Sequence, residues 1–467
     1  MRSCGVHTVR NVHSQIRSLP TSSCKIGRSK GEITATESKS FFISVMPSSN
    51  TFDPAVDSFY SSMRPVIILA QCFSMFPICG VNRSDASCLK FTWRSPKILY
   101  CGFAILGSIF LTMCNIVRLA VTGIDSRRTT SLVFYAANIV TSLLFVRLAR
   151  QWPCLMLTWE KLEGEFSSRH RKLSKRSLSS RFKIMTAFVM VLALIEHTFS
   201  ILSGYTSALE CAALRGDNDI FATYFRSQFP QVFSRISYNP WAAVAVYILN
   251  ILSTFSWNFI DLFLILVSMA LIDQFRQLNS RLYSIRGKRA SFIVKAMPEW
   301  WWAEARNDYN HLATLTRRVD THLSATVLLS FAINLYFICI QLLNSFKPMD
   351  VIQKIYFCFS FGFLLARTTA VSLYAAAVHD ESLLPAPILY SVTTSSYSME
   401  VMRFLTQVTT DNISFTGMKF FSITRSLVLT VAGTIVTYEL VLVQFNSVQQ
   451  VDPSNITNAC EILPMLD

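Results

Sequence analysis

Charged side chains are scarce in this chain. Asp, Glu, Lys and Arg make up 15% of its 467 residues, whereas 51% are apolar and 36 are Phe. A soluble globule of this length needs a wetter surface, so the composition excludes one and points to a membrane as solvent. Acid is the scarcer sign, with 28 residues against 43 basic ones. An excess of base also marks nucleic-acid binders, but here Lys and Arg sit in short loops between apolar stretches, so nucleic acid is not an expected partner. The sequence also lacks a nucleophile and base at recognisable spacing, a glycine-rich loop to cradle phosphate, and a metal-ligand pattern. No enzymatic activity, cofactor or metal is therefore expected. No apolar core follows the first basic residues, so no cleavable signal peptide is read.

Seven apolar stretches are long enough to cross about 30 Å of hydrocarbon, which takes about 20 helical residues. They fall near 98–121, 132–150, 184–208, 242–272, 323–343, 355–379 and 420–446. Lipid offers no partner to an unpaired backbone amide, so each is expected to be helical, giving an all-α membrane protein with seven transmembrane helices. Cations are dense between spans 2 and 3, from Arg147 to Lys183, and between spans 4 and 5, from Arg276 to Arg318, but sparse in the alternate loops. Dense loops are expected in the cytoplasm, which puts the N-terminus inside and the C-terminus outside, the reverse of a G-protein-coupled receptor.

The expected organisation follows from these spans. Residues 1–60 are a disordered cytoplasmic tail, rich in Ser, Thr, Lys and Arg without apolar periodicity. Residues 61–97 hold the short apolar stretch Val66–Val81, read as an interfacial or protein-packed helix, with an eighth span as the alternative. Spans 1 to 4 occupy 98–272, a cytoplasmic extension of spans 4 and 5 occupies 273–322, and spans 5 and 6 occupy 323–379. A cytoplasmic segment at 380–418, with a pre-helix over Tyr397–Thr410, leads to span 7 at 419–446 and an extracellular tail at 447–467. Trp300, Trp301 and Trp302 in the 273–322 extension fit either an anchoring core shared between subunits or a belt at the membrane interface. The twelve cysteines form no framework; only Cys211 and Cys460 fall outside the cell, where a bond between them is conceivable. Asn455-Ile456-Thr457 is a glycosylation sequon on the same side.

Ionisable and amide side chains inside spans are costly and point to a site or to a pairing need. Span 2 carries Tyr135 and Asn138; span 3 carries Glu196 and His197; span 4 carries Asn250, Ser253, Trp257 and Asp261 on one helical face. Span 5 adds Thr326, Ser330, Asn334, Tyr336 and Gln341, and span 6 adds Arg367 and Thr368. In the orientation above most of these lie in the middle and outer halves of the bundle. Carboxylates and amides suit vicinal hydroxyls, and indole or phenol faces suit the C–H face of a sugar ring, so Tyr135, Asn138, Glu196, His197, Trp257, Asp261, Asn334, Tyr336 and Gln341 are the candidate sugar-binding residues. The alternatives are structural: His197 satisfying a neighbouring helix, and Glu196 or Asp261 pairing with Arg367, which is itself assigned to structure.

In span 7, Thr430, Thr434, Thr437 and Gln444 share a stripe that suits either a water-facing pore wall or helix packing. The span ends on Thr437-Tyr438, five mostly aliphatic residues, and Gln444-Phe445. That spacing resembles the last-helix signature of insect gustatory receptors, and Glu439 together with Met75-Phe76-Pro77-Ile78-Cys79-Gly80-Val81 looks most like the sugar-sensing branch. The resemblance, over about residues 60–447, implies a tetrameric, ligand-gated, non-selective cation channel in the plasma membrane of gustatory neurons, gated by a mono- or disaccharide. It implies the seventh helix as the lining of a central pore, with Gln444 and Phe445 as polar ring and hydrophobic plug, and Thr437 and Tyr438 as gate-coupling residues. Homotetramers or, as the alternative, heteromers with related receptors, monovalent cations with divalent ones as an alternative, and membrane lipid are the partners so implied. The rival classes are a G-protein-coupled receptor, disfavoured by loop charge, and a secondary sugar transporter, disfavoured by the absence of repeated halves.

Overall fold

The computed structural model describes residues 58–448 apart from 84, 124–125, 168–176, 217, 286–296 and 346–348. Twelve α-helices and one two-stranded hairpin make up these residues. A helix α1 at Phe59–Cys72 precedes the long helices α2 (Pro96–Thr122), α3 (Ser126–Ser167) and α4 (Leu178–Arg215). Two short helices, α5 (Ile220–Gln228) and α6 (Pro230–Phe233), lead to α7 (Pro240–Ser284), α8 (Glu299–Asn344) and α9 (Val351–Leu383). Then come α10 (Pro385–Tyr390), α11 (Met399–Thr410), the hairpin of β1 (Thr416–Gly417) and β2 (Phe421–Ser422), and α12 (Arg425–Val448).

Six helices, α2, α3, α4, α7, α8 and α9, are long and apolar enough to cross a bilayer. The 24 residues of α12, at 1.5 Å each, give about 36 Å, long enough for a seventh. Their roles in packing differ. In the apolar stretch of α7 94% of the residues are buried, against 11% in α4 and 22% in α2. A helix apolar all round belongs inside, whereas α2 and α4 expose Leu99, Phe103, Leu106, Phe188 and Leu194. α7 is the central post: Phe259, Phe263, Leu266, Leu271 and Phe275 are all enclosed by its neighbours.

α1 is packed within the protein. After it the chain turns through Ser74 and Phe76, both in the left-handed region at φ 60° and 56°. This drives Phe76 into the bundle, edge-on to Trp152 at 5.0 Å and against Phe145 and Phe263. Gln71 Nε2 donates to the carbonyls of Phe76 and Ile78, and Lys97 Nζ donates to Gln71 Oε1 at 2.7 Å, so the wedge is tied to α1 and α2. Gly80 is required here: its φ is +86°, and a Cβ would lie 2.2 Å from the Cys88 carbonyl oxygen. The Met75–Val81 segment thus has a packing role.

The last helix begins later than hydropathy suggests. Residues 416–422 fold back instead, with Thr416 opposite Ser422 and Gly417 opposite Phe421. The turn places Met418 and Lys419 at φ 49° and 66°, a hairpin geometry usually left to Asn and Gly. Buried Asp320 of α8 fixes it, accepting from Thr416 N at 2.7 Å, Thr416 Oγ1 at 2.9 Å and Lys419 Nζ at 2.6 Å. A carboxylate on α8 therefore clamps the base of α12, and Arg425 Nε reaches Asp380 Oδ2 of α9 at 2.5 Å beside it.

Candidate ligand site

The side chains singled out in the spans fall into two groups, a bridge toward α3 and one outlier. The first group centres on Asp261, which is fully enclosed on α7. Ser330 Oγ and Asn334 Nδ2, one turn apart on α8, donate to its two oxygens at 2.5 and 3.0 Å. Arg367 Nε of α9 lies 2.7 Å from Asp261 Oδ2, a charge contact whose N–H is not aligned as a hydrogen bond. The guanidinium also donates to Asn258 Oδ1 and, at 3.4 Å, to Asn334 Oδ1. It lies over the Trp257 ring at 4.4 Å and the Phe363 ring at 5.5 Å. Charge, amides and indole are thus interlocked across three helices, the arrangement a buried ion pair needs to offset its desolvation.

The second group centres on Ser360 of α9. It donates to Glu196 Oε1 of α4 at 2.6 Å and accepts from Gln341 Nε2 of α8 at 3.3 Å. Tyr356 stands one turn away on α9, within electrostatic reach of Glu196. Arg367 also acts on Glu196 at longer range, which links the two groups.

Aromatic rings bridge from the first group toward α3. Trp257 packs on Phe337 at 4.6 Å and meets Phe134 at 6.2 Å; Tyr336 meets Phe337 at 5.4 Å, and Tyr135 meets Phe134 at 5.2 Å. Tyr135 OH donates to Asn250 Oδ1 at 3.1 Å, and Asn138 Nδ2 donates to Ser108 and Ser253 hydroxyls at 2.9 and 3.1 Å. His197 stands apart, its ring beside Tyr247 and Phe255 and its Nε2 3.4 Å from Tyr247 OH.

Four of these residues keep a buried polar atom without a partner: Asn138 Oδ1, Trp257 Nε1, Tyr336 OH and Gln341 Oε1. Each such atom costs about 1–3 kcal/mol when left unpaired. Two acceptors, one indole donor and a phenol, the last two in tilted or edge-on contact with Phe337, can be satisfied by a small molecule that carries several hydroxyls and an apolar face.

Sequence reasoning passed over Asn258, Tyr356 and Ser360. Tyr356, Ser360, Phe363 and Arg367 recur at three- and four-residue steps, so a polar stripe on α9 was there to be seen. Asn258 gives no such signal, because its relevance depends on Arg367 from another helix.

On α12, Thr430, Thr434, Thr437 and Gln444 all have exposed side chains, as does Tyr438. The three threonines donate to carbonyls one turn back at 2.9 Å. α12 packs only lightly, on α9 and α8, so the stripe faces away from the chain's own helices. The side chains of Glu439 and Phe445, with Cys460 and Asn455, lie outside the described residues.

Comparison with known proteins gives a consistent answer. Residues 45–455 match the trehalose receptor family. The chain is 36% identical over 390 residues to the Drosophila melanogaster gustatory receptor for sugar taste 64f, covering 83% of this chain and 81% of that one. It is 34% identical over 390 residues to gustatory receptor 5a for trehalose of the same organism, covering 83% and 85%. In fold it resembles the insect olfactory receptor OR5 from Machilis hrabei in complex with eugenol, at a TM-score of 0.56 and 14% identity over 83% of this chain and all of that one.

Proposed function

The chain belongs to the trehalose receptor family of gustatory receptors, and from that premise we propose that it is a sugar-gated, non-selective cation channel of the gustatory neuron's plasma membrane. The amino end is cytoplasmic, the carboxyl end is extracellular, and four copies place α12 around a central pore. The observation that carries the sugar site is the set of unpartnered polar atoms on Asn138, Trp257, Tyr336 and Gln341, of which Trp257 and Tyr336 pack against Phe337. A mono- or disaccharide supplies the missing partners and stacks on Trp257.

Roles then divide among the nine candidates. Asn138, Glu196, Tyr336 and Gln341 offer polar atoms to the hydroxyls, with Tyr135 and His197 at the margin. Asp261 and Asn334 act mainly through Arg367, holding the guanidinium that supports the Trp257 ring from one side. Sugar binding favours the bundle shape in which α8 and α9 shift on α7, and the ligand moves the equilibrium by its differential affinity for that shape. The Asp320 clamp carries a displacement of α8 to the base of α12. Gln444 and Phe445 then form the polar ring and hydrophobic plug of the gate, with Thr437 and Tyr438 coupling it to neighbouring helices. The open face of α12 supports this reading, since its exposed threonine stripe suits the wall of a water-filled pore.

The test is current recorded from cells that express only this chain, against a panel of mono- and disaccharides. Inward cation current on sugar addition is expected, with Trp257→Ala shifting the dose response to higher concentration at unchanged surface density, and Phe445→Ala conducting without sugar. Uptake of labelled sugar without current, or sugar-driven nucleotide exchange on a G protein without current, overturns the channel.

A further inference from the structure

Most described arginines near the expected cytoplasmic ends of the helices have an acid. Arg181 pairs with Asp273, Arg276 with Glu381, Arg281 with Glu304 and Asp308, Arg306 with Glu400, and Arg317 with Asp411. Three do not. Arg147 and Arg150 of α3 and Arg318 of α8 are exposed and form no ion pair among the described residues. Arg318 is held by Thr158 Oγ1 of α3 at 3.0 Å. His322, one turn along α8, feels the positive charge of both Arg318 and Arg147; Thr158, which holds Arg318, stands eight and eleven residues along α3 from Arg150 and Arg147, so the three cations are spread over about 16 Å of helix.

The surroundings identify what this place faces. One and two turns toward the membrane on the same side of α3, Leu143 and Val140 are 53% and 44% exposed. The face thus passes from bare aliphatic side chains to unpaired guanidiniums within about 10 Å of helix. Acyl chain followed by phosphate has the same profile. A cluster of such cations beside a span attracts anionic lipid by charge, at about 1 kcal/mol per cation.

We propose that Arg147, Arg150 and Arg318, across the packed helices α3 and α8, form a cationic face that binds the phosphates of anionic phospholipids in the cytoplasmic leaflet. Only the choice of leaflet rests on the orientation given above. Arg318, two residues from the clamp carboxylate Asp320, places the bound lipid on the same stretch of α8 that holds the hairpin.

Native mass spectrometry of the purified full chain tests this, with phosphatidylserine against phosphatidylcholine added in detergent. The wild type should retain phosphatidylserine preferentially. R147Q/R150Q/R318Q should lower that retention on the order of a hundredfold, at about fivefold per guanidinium, while R147K/R150K/R318K keeps most of it. R276Q, which removes a paired arginine, should retain lipid like the wild type. Equal retention of the two lipids, or of wild type and triple Gln variant, overturns the site; loss in the triple Lys variant equal to that in the Gln variant overturns its electrostatic basis. Displacement by inorganic phosphate at matched concentration makes the source a soluble anion and overturns the lipid. Because lipid retention needs no sugar response, a chain that holds lipid yet gives no current refutes the channel and leaves this site standing.

Discussion

Removing one side of the Asp261–Arg367 pair is the most informative single perturbation of the bundle. Asp261→Ala leaves a guanidinium that is only 4% exposed with two amide oxygens and two ring faces for company. Stripping one partner from a buried pair costs about 3–5 kcal/mol, because the remaining charge stays desolvated. Arg367→Met strands the carboxylate instead, still bound by Ser330 and Asn334, and should cost about as much. The double change Asp261→Leu with Arg367→Met leaves no charge behind. Its cost reduces to the orphaned amides of Asn258 and Asn334 and the Ser330 hydroxyl, about 1–3 kcal/mol each before they rearrange. Thermal unfolding of the purified protein should therefore show both single variants lowered by roughly 3–5 °C, and the double variant lowered by well less than the sum of the two losses. Strict additivity, or single variants that melt like the wild type, would refute the pairing as an energetic unit. In cells, Asp261→Ala should then lose surface protein before its effect on sugar can be read, so the response must be normalised to receptor density.

Asp320→Ala removes the acceptor for Thr416 N and Oγ1 and should expose the hairpin amides by about 3 kcal/mol, seen as a rise on the order of a hundredfold in hydrogen exchange across 413–423; unchanged exchange would show that the hairpin holds itself. Gly80→Ala forces a methyl against the Cys88 carbonyl at a φ of +86° and should cost about 2–4 kcal/mol in thermal stability, whereas a wild-type Tm would mean the wedge is free to shift. Hydrogen bonds from Arg306 and Arg403 hold Glu400 below the usual carboxylate range. A depressed folded pKa makes the contribution complete above the unfolded value of about 4.3 and lost as pH falls through the lower folded one. Protection of the α11 amides, corrected for intrinsic rates, should accordingly stay flat from neutral pH to about 5 and fall only in more acid solution; Glu400→Gln should abolish that acid-dependent fall, and a transition near neutrality would contradict the assignment.

The helices were legible because membrane solvent leaves the backbone little choice: long apolar runs between basic loops coincide with α2, α3, α4, α7, α8 and α9. The pre-helix over Tyr397–Thr410 was legible too, and appears as α11 at Met399–Thr410. The hairpin before α12 was not. Its two-residue strands and left-handed Met418 and Lys419 follow no local propensity and depend on a carboxylate 96 residues upstream. The polar groups show the same limit more sharply. Asp261 and Glu196 are alike in sequence, each a lone acid in an apolar span, and spacing within one helix cannot say what stands opposite. Asp261 faces Arg367 at 2.7 Å with both oxygens further engaged by Ser330 and Asn334, while Glu196 meets the hydroxyl of Ser360 at 2.6 Å. A carboxylate already matched to a guanidinium gains little from another hydroxyl, whereas one held by a neutral serine keeps acceptor capacity for it. On that ground Glu196, with Gln341 across the same serine, is the better acid for recognising a neutral polyol, and Asp261 is the better acid for keeping the indole beside it in place.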